Sequence, residues 1–206
     1  MAARERESTG KLAFLVAAGI LLSRIIGLVR LRVFSHYFGL RSDSADAFNA
    51  AFRIPNFLQN LFGEGVLSAS FIPVYARLLA EGDEEEADKV AGAVGATLAL
   101  AVAVLCLIGV LATPWLIDII APGFSGAKRE LTISLVRVLF PGAGLLVFSA
   151  WCLGILNSHR KLFLSYAAPV MWSAAMIATL VIFGGSNTLP RLAMDLAWGS
   201  VAGSAL

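Results

Sequence analysis

The sequence predicts an all-α polytopic membrane protein, on the basis of its composition and the length of its apolar runs. Of its 206 residues, 58% are hydrophobic and 15% are charged, and the mean hydropathy is +0.81. Soluble domains carry about 25% charged residues, which keep their surfaces hydrated. This chain has too few of them for a water-soluble globule. Its net charge of +2 also provides no basic surface for a nucleic acid.

The apolar runs predict six helices. A helix needs roughly 20 residues to cross about 30 Å of hydrocarbon. The predicted helices cover about 12–34, 45–80, 90–117, 131–156, 162–183 and 192–206. The last run is only about fifteen residues long and contains Asp195. We therefore expect the chain to stop inside its sixth helix and to be part of a longer protein.

The N-terminal run is interpreted as a helix that stays in the mature protein. Residues 12–22 have the size of a signal-peptide core, but Ser23-Arg24 follows where a cleavage site should be, and apolar sequence then resumes.

The basic residues between the helices predict a cytoplasmic N-terminus, because cytoplasmic loops are enriched in Lys and Arg. The N-terminal tail and the second and fourth loops hold Arg4, Arg6, Lys11, Arg77, Lys89, Arg160 and Lys161. The opposite side holds Arg41, Lys128, Arg129 and Arg191.

Arginines inside the first predicted helix carry the largest free-energy cost of membrane insertion in the sequence. Arg24 lies about 18 Å along that helix, near the bilayer centre. A central arginine costs on the order of 2.5–3.5 kcal/mol on insertion scales. We expect it to face a polar cavity, with a structural ion pair as the alternative. Arg30 and Arg32 fall near the far boundary, where snorkelling to the interface is an equally good explanation.

Small residues repeat every four positions along the same helix, at Gly19, Ser23 and Gly27. Such a repeat predicts the close approach of a second helix backbone. Arg30 falls on nearly the same side, and Arg24 lies about 100° from Ser23. Both arginines are therefore expected beside a protein contact rather than in lipid.

A polar stripe along the second segment predicts a helix face that lines a water-filled or ligand-filled lumen. Its members, separated by three or four residues, are Asp46, Asn49, Arg53, Asn56, Asn60, Glu64 and Ser68. A helix lying flat on the membrane is the alternative. Apolar sequence continues through 71–79, however, and completes a crossing.

Helix-breaking residues interrupt several of the predicted helices. They are Gly63-Glu64-Gly65 and Pro73 in the second segment, and Pro141-Gly142 and Pro169 further on. Broken helices at membrane depth are typical of transporters, where they line cavities.

The motifs of common enzyme classes are missing from the sequence. It contains no H-E-x-x-H, G-x-S-x-G, C-x-x-C or G-x-x-x-x-G-K-[ST]. We predict no cofactor and no metal. Intramembrane arginines favour an anionic cargo, because a guanidinium binds phosphate bidentately and stays charged in a poor solvent. A membrane-embedded transferase acting through Asp46 and Glu64 stays open as an alternative.

Several short strings occur in the order seen in the MurJ/MviN lipid II flippases, and the chain resembles that family over nearly its whole length. They are SRIIGLVR (23–30), ADAF (45–48), PN (55–56), GEGVLSASFIPV (63–74), APGF (121–124), ILN (155–157) and AP (168–169). Two departures stand out. Many members have an acidic residue where this chain has Leu31. Many also have a basic residue a few positions after the Pro-Asn pair, where this chain has Gln59 and Asn60.

The resemblance implies the six-helix N-terminal lobe of a MATE-like two-lobe transporter, with the sixth helix truncated. It also implies transport of an undecaprenyl-pyrophosphate-linked peptidoglycan precursor across the bacterial cytoplasmic membrane by alternating access. The implied partners are that lipid-linked substrate, membrane lipids and the missing C-terminal lobe, with no nucleic acid. The alternatives are a flippase for another undecaprenyl-linked glycan and a MATE-type drug exporter.

The resemblance also implies which residues form the site. Arg24 and Arg30 match the arginines held to bind the pyrophosphate. Together with the polar-stripe analysis, this predicts a cavity lined by Ser23, Arg24, Arg30, Asp46, Arg53 and Asn56, and a gate formed by Gly63, Glu64 and Gly65.

Overall fold

Each regular element in the described part of the chain is helical. The computed structural model describes the backbone of residues 2–39, 41–159 and 163–206, and the side chains of 17–39, 41–62, 67, 69–159 and 167–206. The elements are α1 (Ala2–Phe38), α2 (Asp43–Gln59), a π-helical segment (Asn60–Phe71), α3 (Ile72–Glu81), α4 (Glu84–Ile120), α5 (Gly126–Ser158), α6 (Phe163–Phe183) and α7 (Leu189–Ala205). The all-α class is thereby confirmed. Arg160 and Lys161, two of the basic residues behind the predicted orientation, lie outside the described residues.

Short polar turns set the helix boundaries. The hydroxyl of Ser42 accepts a hydrogen bond from the backbone N–H of Ala45 at 3.1 Å and so caps the start of α2. Gly82 ends α3 in the left-handed conformation (φ 80°), which glycine adopts without a steric penalty. The carboxylate of Asp83 then accepts from the N–H of Glu86 at 3.1 Å and starts α4.

The interruption expected in the second segment takes the form of a change in helical register. The chain stays helical from Asp43 to Glu81, but residues 60–71 follow a π-helix. Gly63 and Gly65 lie inside this stretch. A π-helix makes i→i+5 hydrogen bonds in place of the i→i+4 bonds of an α-helix, so the angular spacing of residues changes between α2 and α3.

Helix α5 is the centre of the packing. It contacts α2, α4 and α7 extensively, whereas α1 packs on α6, and α6 on α7. One apolar cluster lies at the bundle end that holds Lys128 and includes Ile117, Leu135, Leu180 and Leu192. A second cluster lies toward the opposite end and is built from Leu67, Phe71, Tyr75, Ala87, Ala91, Leu98, Val102 and Val147.

The outward side of α4 carries large apolar side chains. Leu100, Leu107, Leu111, Trp115 and Ile119 are all exposed. Among the described residues, α4 and α5 are long and apolar enough to cross a membrane, and 167–183 is a shorter apolar helix. An exposed apolar face of this length suits hydrocarbon better than water.

Ion pairs join three helices at the Lys128 end. Lys128 Nζ lies 2.7 Å from Asp46 Oδ2 and 3.0 Å from Asp43 Oδ1, which ties α2 to α5. Arg129 holds Asp118 at the end of α4, with Nε 2.7 Å from Oδ1 and Nη2 2.9 Å from Oδ2.

Replacing Gly109 by alanine should destabilise the bundle. Gly109 is buried in α4, and a methyl group there would overlap the ring of Phe140 in α5. Overpacking of this kind costs about 1–3 kcal/mol. Gly92→Ala is the matched control, because it lies in the same helix and a methyl group there has no heavy atom within 4 Å. Thermal unfolding in detergent should show a lower Tm for Gly109→Ala alone, and equal Tm values for the two variants would contradict the packing.

Lys128→Met should weaken the link between α2 and α5. The Lys128 side chain is 20% exposed, against 62% for Lys89, while its partners Asp43 and Asp46 are 82% and 60% exposed. We therefore expect the pairs of Lys128 to be somewhat less screened than the pair of Lys89 with Glu85. Pairs between exposed groups contribute about 0–1 kcal/mol. We expect Lys128→Met to lower the Tm more than Lys89→Met at low salt, with the difference shrinking at about 1 M NaCl because of charge screening. The same Tm for both variants at low salt would refute the link.

Candidate functional site

A cleft between α1 and α6 holds both arginines singled out from the sequence. Its volume is about 440 Å³. The lining residues are Ser23, Arg24, Gly27, Leu28 and Arg30 from α1, and Pro169, Trp172 and Ser173 from α6. The helical repeat explains this grouping, because residues three and four apart share a face.

Arg30 is half-buried and has an unusual set of neighbours. Its guanidinium carbon lies 4.6 Å from the centre of the Trp172 ring, and its Nη1 lies 3.3 Å from the sulfur of Met176. A thioether is a weak acceptor, while a guanidinium offers five N–H donors. No Asp or Glu with a described side chain forms an ion pair with Arg30. The site therefore has donor capacity left for an anion.

Arg24 lines the same cleft with its side chain exposed. It lies six positions before Arg30, which places the two residues about 9 Å apart along the helix axis. The ion pair considered as an alternative for Arg24 is not found among the side chains that the structure describes. Two cations thus face one cleft.

The predicted close helix contact along the small-residue face of α1 is wrong at Gly27. Among the residues that the structure describes, a methyl group placed there would have no heavy atom within 4 Å, and both Gly27 and Ser23 line the cleft. A tighter approach occurs between α6 and α7, where a methyl group on Gly203 would come within 3.1 Å of Trp172. A four-residue repeat of small residues has the same spacing whether it faces a helix or an open space.

The polar stripe of α2 lies on the side that faces away from the core. Asp46, Asn49, Arg53 and Asn60 are exposed, and Asn56 is half-buried. The buried residues of α2 are Ser44, Ala45, Ala47, Phe48, Ala51, Pro55 and Leu58. Since α5 is the main neighbour of α2, the polar face is left available for another surface.

The structure brings together only some of the predicted cavity residues. Ser23, Arg24 and Arg30 share the cleft, whereas Asp46 pairs with Lys128 at one end of the bundle. Arg53 and Asn56 lie on α2 and are not among the lining residues described for the cleft. The cavity assignment therefore stays a prediction for these α2 residues.

The predicted gate lies in the π-helical segment. The backbone of Gly63, Glu64 and Gly65 belongs to this segment, while their side chains lie outside the described residues. Gating by Glu64 thus also stays a prediction.

Sequence reasoning missed the α6 wall of the cleft. The sequence marks Pro169 as a helix breaker and as part of the AP string of the family, and it does not single out Trp172, Ser173 or Met176. Their three- and four-residue spacing places them on one face of α6. Within an apolar run, however, that pattern is equally typical of core packing, and only the pairing of α6 with α1 shows that they meet Arg30.

Comparison with known proteins gives a consistent result. A family model described as lipid II flippase MurJ matches residues 34–206. Lipid II flippase MurJ of Burkholderia cenocepacia is 32% identical over 197 residues, covering 94% of this chain and 38% of the relative. The probable lipid II flippase MurJ of Bdellovibrio bacteriovorus is 34% identical over 208 residues, covering 98% and 39%.

A solved structure described as lipid II flippase MurJ in an inward closed conformation has a TM-score of 0.76 with this chain. The two are 26% identical, and the match covers 93% of this chain and 40% of that one. The chain thus spans about two fifths of the length of its relatives. Since the family model matches most of the sequence, the chain belongs to the lipid II flippase MurJ family.

Proposed function

We propose that these residues form the first lobe of a flippase that moves lipid II, an undecaprenyl-pyrophosphate-linked peptidoglycan precursor, across the bacterial cytoplasmic membrane. Transport proceeds by alternating access, and a second lobe supplies the other wall of the cavity. The chain's membership of the family and its share of the relatives' length support this assignment. The cleft with its two arginines is the observation that carries it.

The chemistry of the cleft suits a pyrophosphate head group. Arg30 is held by an aromatic ring and a thioether, so most of its five N–H groups are left for phosphate oxygens. Arg24 extends the positive charge along the same wall. Charge-assisted hydrogen bonds to phosphate are stronger than neutral ones, and a low dielectric strengthens them further.

The polar face of α2 provides a path for the rest of the head group. Asp46, Arg53 and Asn56 lie on that helix and would face the second lobe across a shared lumen. We place the gate in the π-helical segment, where Glu64 is flanked by Gly63 and Gly65. The excess of basic residues on the N-terminal side supports a cytoplasmic N-terminus, which puts the Lys128 end on the outer side.

Arg24→Ala and Arg30→Ala should each abolish rescue of cells depleted of their own precursor flippase. The variants are made in the full-length protein and compared with wild type at matched membrane levels. Losing one charge-assisted contact costs about 1.5–3 kcal/mol, which is roughly ten- to hundredfold in head-group affinity. Arg32→Ala is the matched control, because Arg32 lies on the same helix, is exposed and is not among the cleft-lining residues.

The outcomes separate the candidate functions. Growth of both alanine variants at the wild-type rate would contradict the role of the two arginines in binding, but not the family assignment. Failure of wild type despite good insertion would indicate another lipid-linked glycan. Efflux of a cationic drug would favour an exporter, and product formation by purified protein from a lipid-linked substrate would favour a transferase.

A further inference from the structure

We infer that Trp172 is a positioning residue that holds Arg30 in place for the anionic head group. The inference rests on the proposed function and adds to it a residue that does not itself bind the cargo through charge. Trp172 lies where α6 meets α1, α2 and α7, and each of these helices contributes at least one contact to its ring.

The first contact is with Arg30 itself. The guanidinium carbon is 4.6 Å from the ring centre, within the range of a cation–π interaction. Such a contact stabilises the cation through the ring face and occupies none of the N–H donors of the guanidinium. A carboxylate partner would instead neutralise the charge and occupy the N–H groups. The ring therefore anchors the cation and leaves it able to bind an anion.

The other contacts fix the ring. Its Nε1 donates to both the carbonyl oxygen and the hydroxyl of Ser200 in α7, each at 3.2 Å. Phe52 of α2 stacks on it with 5.7 Å between ring centres and 29° between planes. At Gly203 the α7 backbone comes so near that a methyl group would lie 3.1 Å from the indole. A ring held on several sides in this way has little freedom to change rotamer.

A fixed ring holds the Arg30 guanidinium in one position before the head group binds. An arginine side chain loses considerable rotamer freedom when it is ordered. Because contacts on α6, with Trp172 and Met176, already restrict Arg30, less of that entropy has to be lost when the head group binds. Removing the ring should thus weaken binding although no direct contact with the anion is lost.

The test is a double-mutant cycle between Arg30 and Trp172 in the purified full-length protein. Binding of farnesyl pyrophosphate is measured by calorimetry in detergent, with farnesol as the uncharged control probe. We expect Trp172→Leu to weaken pyrophosphate binding about five- to tenfold. In the Arg30→Ala background the same substitution should have an effect of less than about twofold, because the cation it positions is gone.

Two further variants separate positioning from simple packing. Trp172→Phe keeps an aromatic face but loses the N–H group, so it should retain most of the affinity, within about threefold of wild type. Trp115→Leu removes an exposed tryptophan on α4 and should bind as wild type does.

Each result has a definite meaning. Additive effects in the cycle, or equal losses for Trp172→Phe and Trp172→Leu, would overturn the positioning role while leaving the proposed function intact. Unchanged affinity of Arg30→Ala for farnesyl pyrophosphate would instead contradict the proposed head-group site, and with it the role of Trp172. Should Trp172→Leu fail to fold, the Trp172→Phe comparison and its own cycle with Arg30→Ala decide the question.

Discussion

A guanidinium among apolar helices keeps its charge, so the fold has to supply contacts that water would otherwise provide. At Arg30 those contacts are an indole face and a thioether, and none is a carboxylate among the described side chains. The cation is stabilised without being neutralised. Contacts from α7 and α2 hold the ring of Trp172 where its face meets this cation.

The described helices combine a densely packed centre with an open cleft at one side. Helix α5 has neighbours on several sides, and Gly109 of α4 lets the ring of Phe140 in α5 pack closely against α4. Helix α1, in contrast, contacts the described bundle mainly through α6, and its C-terminal part also reaches the core through Phe34 and Phe38. Among the described residues, no side chain fills the space beside Gly27. The cleft thus lies within an otherwise packed contact between α1 and α6.

Helix α2 has two sides of different character. The apolar side of α2 is buried against the core, while its polar side stays uncovered. Lys128 holds the start of this helix through Asp43 and Asp46, and Phe52 connects it to Trp172. Helix α2 is thus fixed at its beginning, and the helical register changes after it, at residues 60–71, where Gly63 and Gly65 lie. Both α1 and α2 contact the ring of Trp172, through Arg30 and Phe52.

The sequence by itself determined the all-helical class, the apolar runs, the polar stripe of α2 and the placement of Arg24 and Arg30 on one helix. These features follow from local properties, namely hydrophobicity and the 3.6-residue period, which need no knowledge of distant residues. Only the tertiary structure decided that Arg30 meets Trp172 and Met176, that Asp46 pairs with Lys128, and that Gly27 faces a cleft. Each of these features depends on which distant part of the chain lies opposite a given helix face. The spacing of residues along one helix is the same whichever helix lies opposite, so the sequence of that helix does not reveal the partner.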